Sequence, residues 1–191
     1  MLGRYLWVPV IILTGWVSAG EKGPTLSPGD QAPKLDFHVL SNGESAPNWQ
    51  DLRGKVVVLD FWATWCGACL QAMPHLKAPQ ATFAKDPVSF YAVTYESKAQ
   101  VEKFLKKREV TGVIGLDRDL ATFKNYLAWG IPMVVIVDPA GKVAAVTHPD
   151  HLKASHIRAV LSGQKPEVKP HPGWEDPKGA EAYFRSTLTN H

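Results

Sequence analysis

Cysteine is scarce in this chain: its 191 residues include two, Cys66 and Cys69. That count excludes a miniature fold stapled by several disulfides and a structural zinc site of four thiolates. Long apolar runs are missing as well. No stretch reaches the roughly 20 residues of a clean membrane span, which excludes a polytopic membrane protein. Nothing repeats at the fixed period of a solenoid. Charge of one sign is not concentrated either: 21 Lys and Arg stand against 18 Asp and Glu, a net charge of +3. These charges are scattered and form no basic stripe of the kind phosphate backbones require, so nucleic acid is not an expected partner. What remains is 45% apolar, 10% aromatic and 20% charged, the composition of one ordinary globular domain.

The two ends differ from the middle. Residues 1–20 carry one cation, Arg4, then an apolar stretch over 5–17, then the small residues Ser18, Ala19 and Gly20. This is the layout of a secretory signal, read as 1–19 with cleavage after Ala19, or alternatively of an uncleaved anchor. Either way the expectation is an extracytoplasmic protein, in a bacterium a periplasmic one, and disulfides persist in such compartments. Residues 20–30 are polar and contain Gly23, Pro24, Pro28 and Gly29, the composition of a flexible tether. From 165 to 191 a proline-rich tail holds Pro166, Pro170, Pro172 and Pro177, followed by Ala180, Phe184 and Leu188 at intervals that suit a short helix.

Between them, over 31–164, apolar runs bounded by turn signals alternate with helical patterns, which favours an α/β fold with a central sheet covered on both faces. After Lys55, the run at 55–62 has Asp60 as its single polar residue, as in a strand buried on both sides. A helix should start near Gly67 and be kinked by Pro74 and Pro79. A strand at 88–94 precedes a helix capped by Ser97 that buries Val101, Phe104 and Leu105. Asp119 is positioned to cap a further helix bearing Leu120, Phe123, Tyr126 and Leu127. A hairpin joins 133–137 to 142–147 through Pro139-Ala140-Gly141, and a last helix spans 151–161, stopped by Gly163. Thioredoxin has the same succession.

The segment Asp60-Phe61-Trp62-Ala63-Thr64-Trp65-Cys66-Gly67-Ala68-Cys69 runs from the buried strand into a Cys-x-x-Cys that opens a helix. Unpaired amides and the helix dipole favour a thiolate there, so Cys66 is the expected attacking sulfur and Cys69, one turn in, the resolving one. A permanent staple would close so small a loop that it stabilises by roughly 2 kcal/mol. A metal would find half a tetrahedral site, with His75 the nearest further ligand. Asp60, in apolar surroundings, should have its pKa raised towards neutrality and so be able to take the Cys69 proton; the alternative is an aspartate hydrogen-bonded for structure. Trp62 is either half of a core layer or, with Trp65, part of the face where a client docks. Trp65 is either a ring shielding the disulfide or part of a client-docking face. The histidines His148, His151, His156, His171 and His191 show no metal-site spacing, and His75 reads as a helix-surface residue.

Trp62 to Cys69, with Met73-Pro74 downstream and Gly130-Ile131-Pro132 further on, resembles the TlpA/ResA-type thioredoxin-like reductases over most of the chain. The resemblance implies a thioredoxin-like fold and a thiol-disulfide oxidoreductase reducing protein disulfides. It also implies a cis Pro132 beside the cysteines, with Ile131 offering its backbone to a substrate strand. Trp65, Gly67, Ala68, Ile131 and Pro132 would then form the substrate face, and Asp60 would match the carboxylate behind the second cysteine. No cofactor or metal is implied. The partners would be a disulfide-containing client and a membrane-bound electron donor, in cytochrome c maturation or oxidase assembly. Two positions depart from the pattern: Ala72 stands where a glutamate is usual, and Ala68 where proline is common. Two alternatives share the scaffold. A thiol peroxidase would have Thr or Ser at the position of Ala63; the other is a copper- or haem-related metallochaperone, whose copper-delivering members have three residues between their cysteines and a downstream histidine.

Overall fold

The apolar run around Asp60 forms the central strand of a mixed sheet in the computed structural model, which describes residues 26–41 and 43–172. The elements are β1 (His38–Val39), β2 (Val56–Phe61), α1 (Gly67–Thr82), β3 (Val88–Thr94), α2 (Lys98–Leu105), β4 (Val113–Leu116), α3 (Ala121–Asn125), β5 (Met133–Val137), β6 (Val143–Thr147) and α4 (Ala154–Leu161), with a 3-10 turn at Pro149–His151 before α4. Six strands pair in the order β1-β4-β3-β2-β5-β6. The β2-β3 and β3-β4 pairs are parallel; the other three pairs are antiparallel. Every residue of β2 is buried, as expected for a strand with neighbours on both edges and layers on both faces.

Strand alternation sorts the core. Val57, Leu59 and Phe61 point to one face, against Phe37, Phe123 and Tyr126. Val56 and Val58 point to the other, against Leu76 of α1, Phe83 directly after it, and Ile157 and Val160 of α4. Fully burying side chains of this size contributes about 1.5–3 kcal/mol each. The two parallel crossovers step the same way across the sheet, so right-handed connections put α1 and α2 on one face, and the cysteines with them.

Helix α1 is continuous through Pro74 and Pro79, although Pro74 lacks the N–H that would bond to the Leu70 carbonyl. Ser97 caps α2 as expected, in a reciprocal capping box with Gln100. The hairpin turn is held by the Asp138 carboxylate, whose Oδ1 accepts from Ala140 and Lys142 N–H groups.

Several expectations need correction. Strands β1 and β4 lie outside the elements the sequence predicts. One has two residues, and the other includes Gly115 and the exposed Val113, so neither shows a strand's apolar alternation. Gly115 is required by packing: a Cβ there would lie 2.5 Å from the Phe37 ring. The cap of α3 is Asp117 in place of Asp119; its two oxygens accept from Ala121 and Phe123 N–H groups at 2.8 Å each. Leu120 sits in the left-handed region at φ 56°, so the helix cannot include it, and α3 is shorter than expected. The last helix starts at Ala154, because Leu152 and Lys153 are extended after the 3-10 turn.

Residues 26–30 are docked, correcting that part of the expected tether. Leu26 is buried, Gly29 N–H donates to the Val143 carbonyl at 2.7 Å, and Val143 N–H donates to the Asp30 carbonyl at 2.9 Å. The tail also begins on the domain: Pro170 bridges to Thr147, and His171 N–H donates to the Val146 carbonyl at 3.1 Å. The signal-like segment, residues 21–25 and the tail helix lie outside the described residues. Among the described residues no helix is long and apolar enough to cross a membrane.

Candidate active site

After β2 the chain turns through Trp62-Ala63-Thr64-Trp65, and Cys66 becomes the N-cap of α1, with extended backbone (φ −77°, ψ 98°). Its Sγ accepts the Cys69 N–H at 3.1 Å, and Cys66 N–H donates to the Ala63 carbonyl at 3.2 Å. The helix start therefore directs a backbone donor at the first sulfur, the arrangement that stabilises a thiolate once the bond is opened. Here the two sulfurs are joined as a disulfide, with Cα atoms 5.2 Å apart. Cys66 is 5% exposed and Cys69 2%. Gly67 and Ala68 between them face solvent, and Trp65 is half-buried.

The loop before β5 lies opposite. The Ile131–Pro132 peptide bond is cis, and the Ile131 carbonyl oxygen is 4.0 Å from Cys66 Sγ. Ile131 is half-buried and Pro132 buried. The structure thus brings Cys66, Cys69, Trp65, Gly67, Ala68, Ile131 and Pro132 to one end of the sheet, although the loop is far from the cysteines in sequence.

Asp60 sits in β2 between Ala92 of β3 and Val134 of β5. Alternation directs its side chain to the α1 face, the side of the cysteines. Its Oδ1 is buried with no hydrogen-bond partner among the described residues, and burial raises its pKa from 3.8 to about 7. The absence of a partner disfavours a purely structural hydrogen-bonding role for that oxygen. Trp62 is fully buried, its ring 5.5 Å from that of Phe104. Ala72, at the position of the usual glutamate, is buried and offers no proton acceptor. His75 is exposed on α1, 3.7 Å from Asp150. Among the described residues no three His, Cys, Asp or Glu side chains are grouped so as to hold a metal.

Two supports of the site carry almost no signal in the sequence. Glu96, buried just after β3, accepts from the Thr64 N–H at 2.6 Å and the Thr64 hydroxyl at 2.5 Å, with the Thr94 hydroxyl at 3.3 Å. It anchors the turn that delivers Cys66. Beside it, Tyr95 OH accepts the Trp65 indole N–H at 2.8 Å, and burial pushes the Tyr95 pKa up to about 12. The only trace in the sequence is a carboxylate two residues after the end of β3. The second support is His171, whose Nε2 lies 3.0 Å from the Pro132 carbonyl oxygen.

Exchange of an electron pair with another disulfide or dithiol is the reaction such a site performs. That defines the class, a thiol-disulfide oxidoreductase on a thioredoxin-like fold. The chain belongs to the Redoxin family, whose pattern matches residues 27–161. It is similar to the thioredoxin-like protein YneN of Bacillus subtilis, 31% identical over 149 residues, or 74% of this chain and 85% of that protein. It is also similar to the thiol-disulfide oxidoreductase ResA of Geobacillus thermodenitrificans, 36% identical over 120 residues, or 62% of this chain and 67% of ResA. The thioredoxin domain of a thiol-disulfide oxidoreductase from Bacteroides vulgatus superposes with a TM-score of 0.56 at 25% identity, covering 62% of this chain and 86% of that one. These relatives agree with the TlpA/ResA-type resemblance carried by the motif.

Proposed function

We propose that the protein is an extracytoplasmic protein-disulfide reductase in which Cys66 attacks and Cys69 resolves. The observation that carries this reading is the placement of Cys66 Sγ, at the N-cap of α1 with the Cys69 N–H aimed at it and the Ile131 carbonyl 4.0 Å away. In the reduced enzyme the Cys66 thiolate attacks one sulfur of a client disulfide, forms a mixed disulfide and releases the first client thiolate. Asp60, with a pKa of about 7, accepts the Cys69 proton. The Cys69 thiolate then attacks Cys66 Sγ, the enzyme disulfide forms, and the second client sulfur leaves and takes up a proton. Two electrons pass to the client, so an external donor must reopen the pair. The resemblance supports a membrane-bound donor, and the signal-like layout of residues 1–19 supports the compartment. Trp65, Gly67, Ala68, Ile131 and Pro132 form the surface that receives the client strand.

The reading is tested with the reduced protein and insulin as the disulfide substrate. Wild type should reduce insulin, Cys66→Ser should not, and Cys69→Ser should accumulate a mixed disulfide on Cys66. A Cys69→Ser chain that forms no adduct, or a Cys66→Ser chain as active as wild type, contradicts it.

A further inference from the structure

The start of β5 leaves a hydrogen-bonding problem at the mouth of the site. Val134 pairs with Thr147, the last residue of β6. Continuing that register would set Pro149 opposite Pro132, and proline has no N–H to donate. The β6 edge also ends there, because Pro149 opens the 3-10 turn. The Pro132 carbonyl therefore has no ladder donor on that side, and a buried carbonyl needs one.

The donor comes from beyond the family-matched span of 27–161. The segment after α4 returns along the β6 edge: the Thr147 hydroxyl donates to the Lys169 carbonyl at 2.6 Å, Pro170 bridges to Thr147, and His171 N–H donates to the Val146 carbonyl. This strap delivers the His171 ring, 5% exposed, to the cis-proline loop. There Nε2 meets the Pro132 carbonyl at 3.0 Å, and Cε1 lies so close to Gly130 that a Cβ on that residue would meet it at 3.3 Å. A carbonyl can only accept, so Nε2 carries the proton and donates. Burial, the largest influence, lowers the His171 pKa, in keeping with a neutral ring.

We infer that His171 is a positioning residue for the thiol-disulfide exchange: through its Nε2–H bond to Pro132 and its contact with Gly130, it holds the Gly130-Ile131-Pro132 loop at the height where the Ile131 backbone meets a client strand beside Cys66. The strap at 165–172 is therefore part of the substrate-recognition apparatus. This inference rests on the proposed client surface. It separates substrates by chemistry. A protein disulfide that must pair with the loop depends on His171, whereas a small disulfide that needs only to reach the Cys66 sulfur depends on it far less.

The test uses full-length protein, fully reduced and freed of reductant, mixed with excess insulin or hydroxyethyl disulfide. Loss of the Cys66 and Cys69 thiols is followed by acid quenching and alkylation. His171→Leu keeps most of the bulk and removes the donor; His171→Gln places an amide N–H near the position of Nε2. Losing one hydrogen bond from a buried carbonyl corresponds to about a 10-fold effect. His171→Leu should therefore lower the ratio of the insulin rate to the hydroxyethyl disulfide rate about 10-fold, with His171→Gln restoring it to within about 3-fold of wild type. Thr147→Val, which removes the strap's hydroxyl bond and nearly preserves volume, should lower the same ratio by a smaller factor. If His171→Leu does not fold, Thr147→Val decides by the same ratio. A ratio unchanged from wild type, equal losses on both substrates, or a His171→Gln chain as impaired as His171→Leu overturns the inference. Wild type that reacts with neither substrate removes the reductase reading itself, and the inference with it.

Discussion

Replacing Asp60 by asparagine tests the buried carboxylate through stability and rate together. Burial raises its pKa from 3.8 to about 7. At about 1.36 kcal/mol per pH unit, the ionised carboxylate is then destabilising by about 4 kcal/mol. The folded state holds this proton more tightly than the unfolded chain does. The stability linked to it is therefore complete below about pH 4, falls as pH rises through about 7, and is flat above. Asparagine never ionises, and its cost is a constant penalty of about 1–3 kcal/mol for an amide without full hydrogen bonding. Urea unfolding of the oxidised protein should show the variant gaining on wild type steadily from about pH 4 to 7 and overtaking it before about pH 8. In insulin reduction the variant should be slower at neutral pH and should lose the inflection near pH 7. Parallel stability curves across that range would refute the raised pKa, and identical rate profiles would remove Asp60 from the proton transfer.

Other residues give sharper local outcomes. Glu96→Ala leaves the Thr64 N–H and hydroxyl without their acceptor; it should destabilise by about 2 kcal/mol and slow attack by Cys66, read by denaturation and by the Cys66 alkylation rate. Gly115→Ala drives a methyl into the Phe37 ring, and a thermal melt should record a loss of about 1–3 kcal/mol. Asp117→Ala, which removes both carboxylate bonds at the start of α3, should cost about 1–2 kcal/mol, whereas Asp119→Ala should cost little, a contrast visible in urea midpoints.

The parts of this molecule legible in its sequence are those that local physics decides. Five apolar residues around Asp60 leave β2 no exposed face, the glycine-containing turn after Asp138 marks the hairpin, and Ser97 marks the start of α2. A Cys-x-x-Cys directly after a buried strand carried the site. The misses share a different cause. β4 is held in the sheet by its neighbours and by the fit of Gly115 against Phe37, not by its own alternation. Asp117 outcompetes Asp119 as a cap because the backbone at Leu120 is left-handed, which composition does not reveal. Glu96 and His171 reach partners 32 and 39 residues away. Residues 26–30 looked like a tether because their polar composition conceals backbone bonds to Val143. Backbone pairing of that kind is indifferent to side-chain type.

The reduction potential of the Cys66/Cys69 couple, equilibrated against thiol buffers and read by alkylation, bears most directly on the account. A protein-disulfide reductase should lie in the range of thioredoxin, about −270 mV, and give up its electrons to insulin at equilibrium. A couple near about −120 mV would mark an oxidant that keeps its electrons. A pair that remains unmodified after strong reductant is added to the folded protein would leave the cysteines a structural clip. Either result contradicts the reductase.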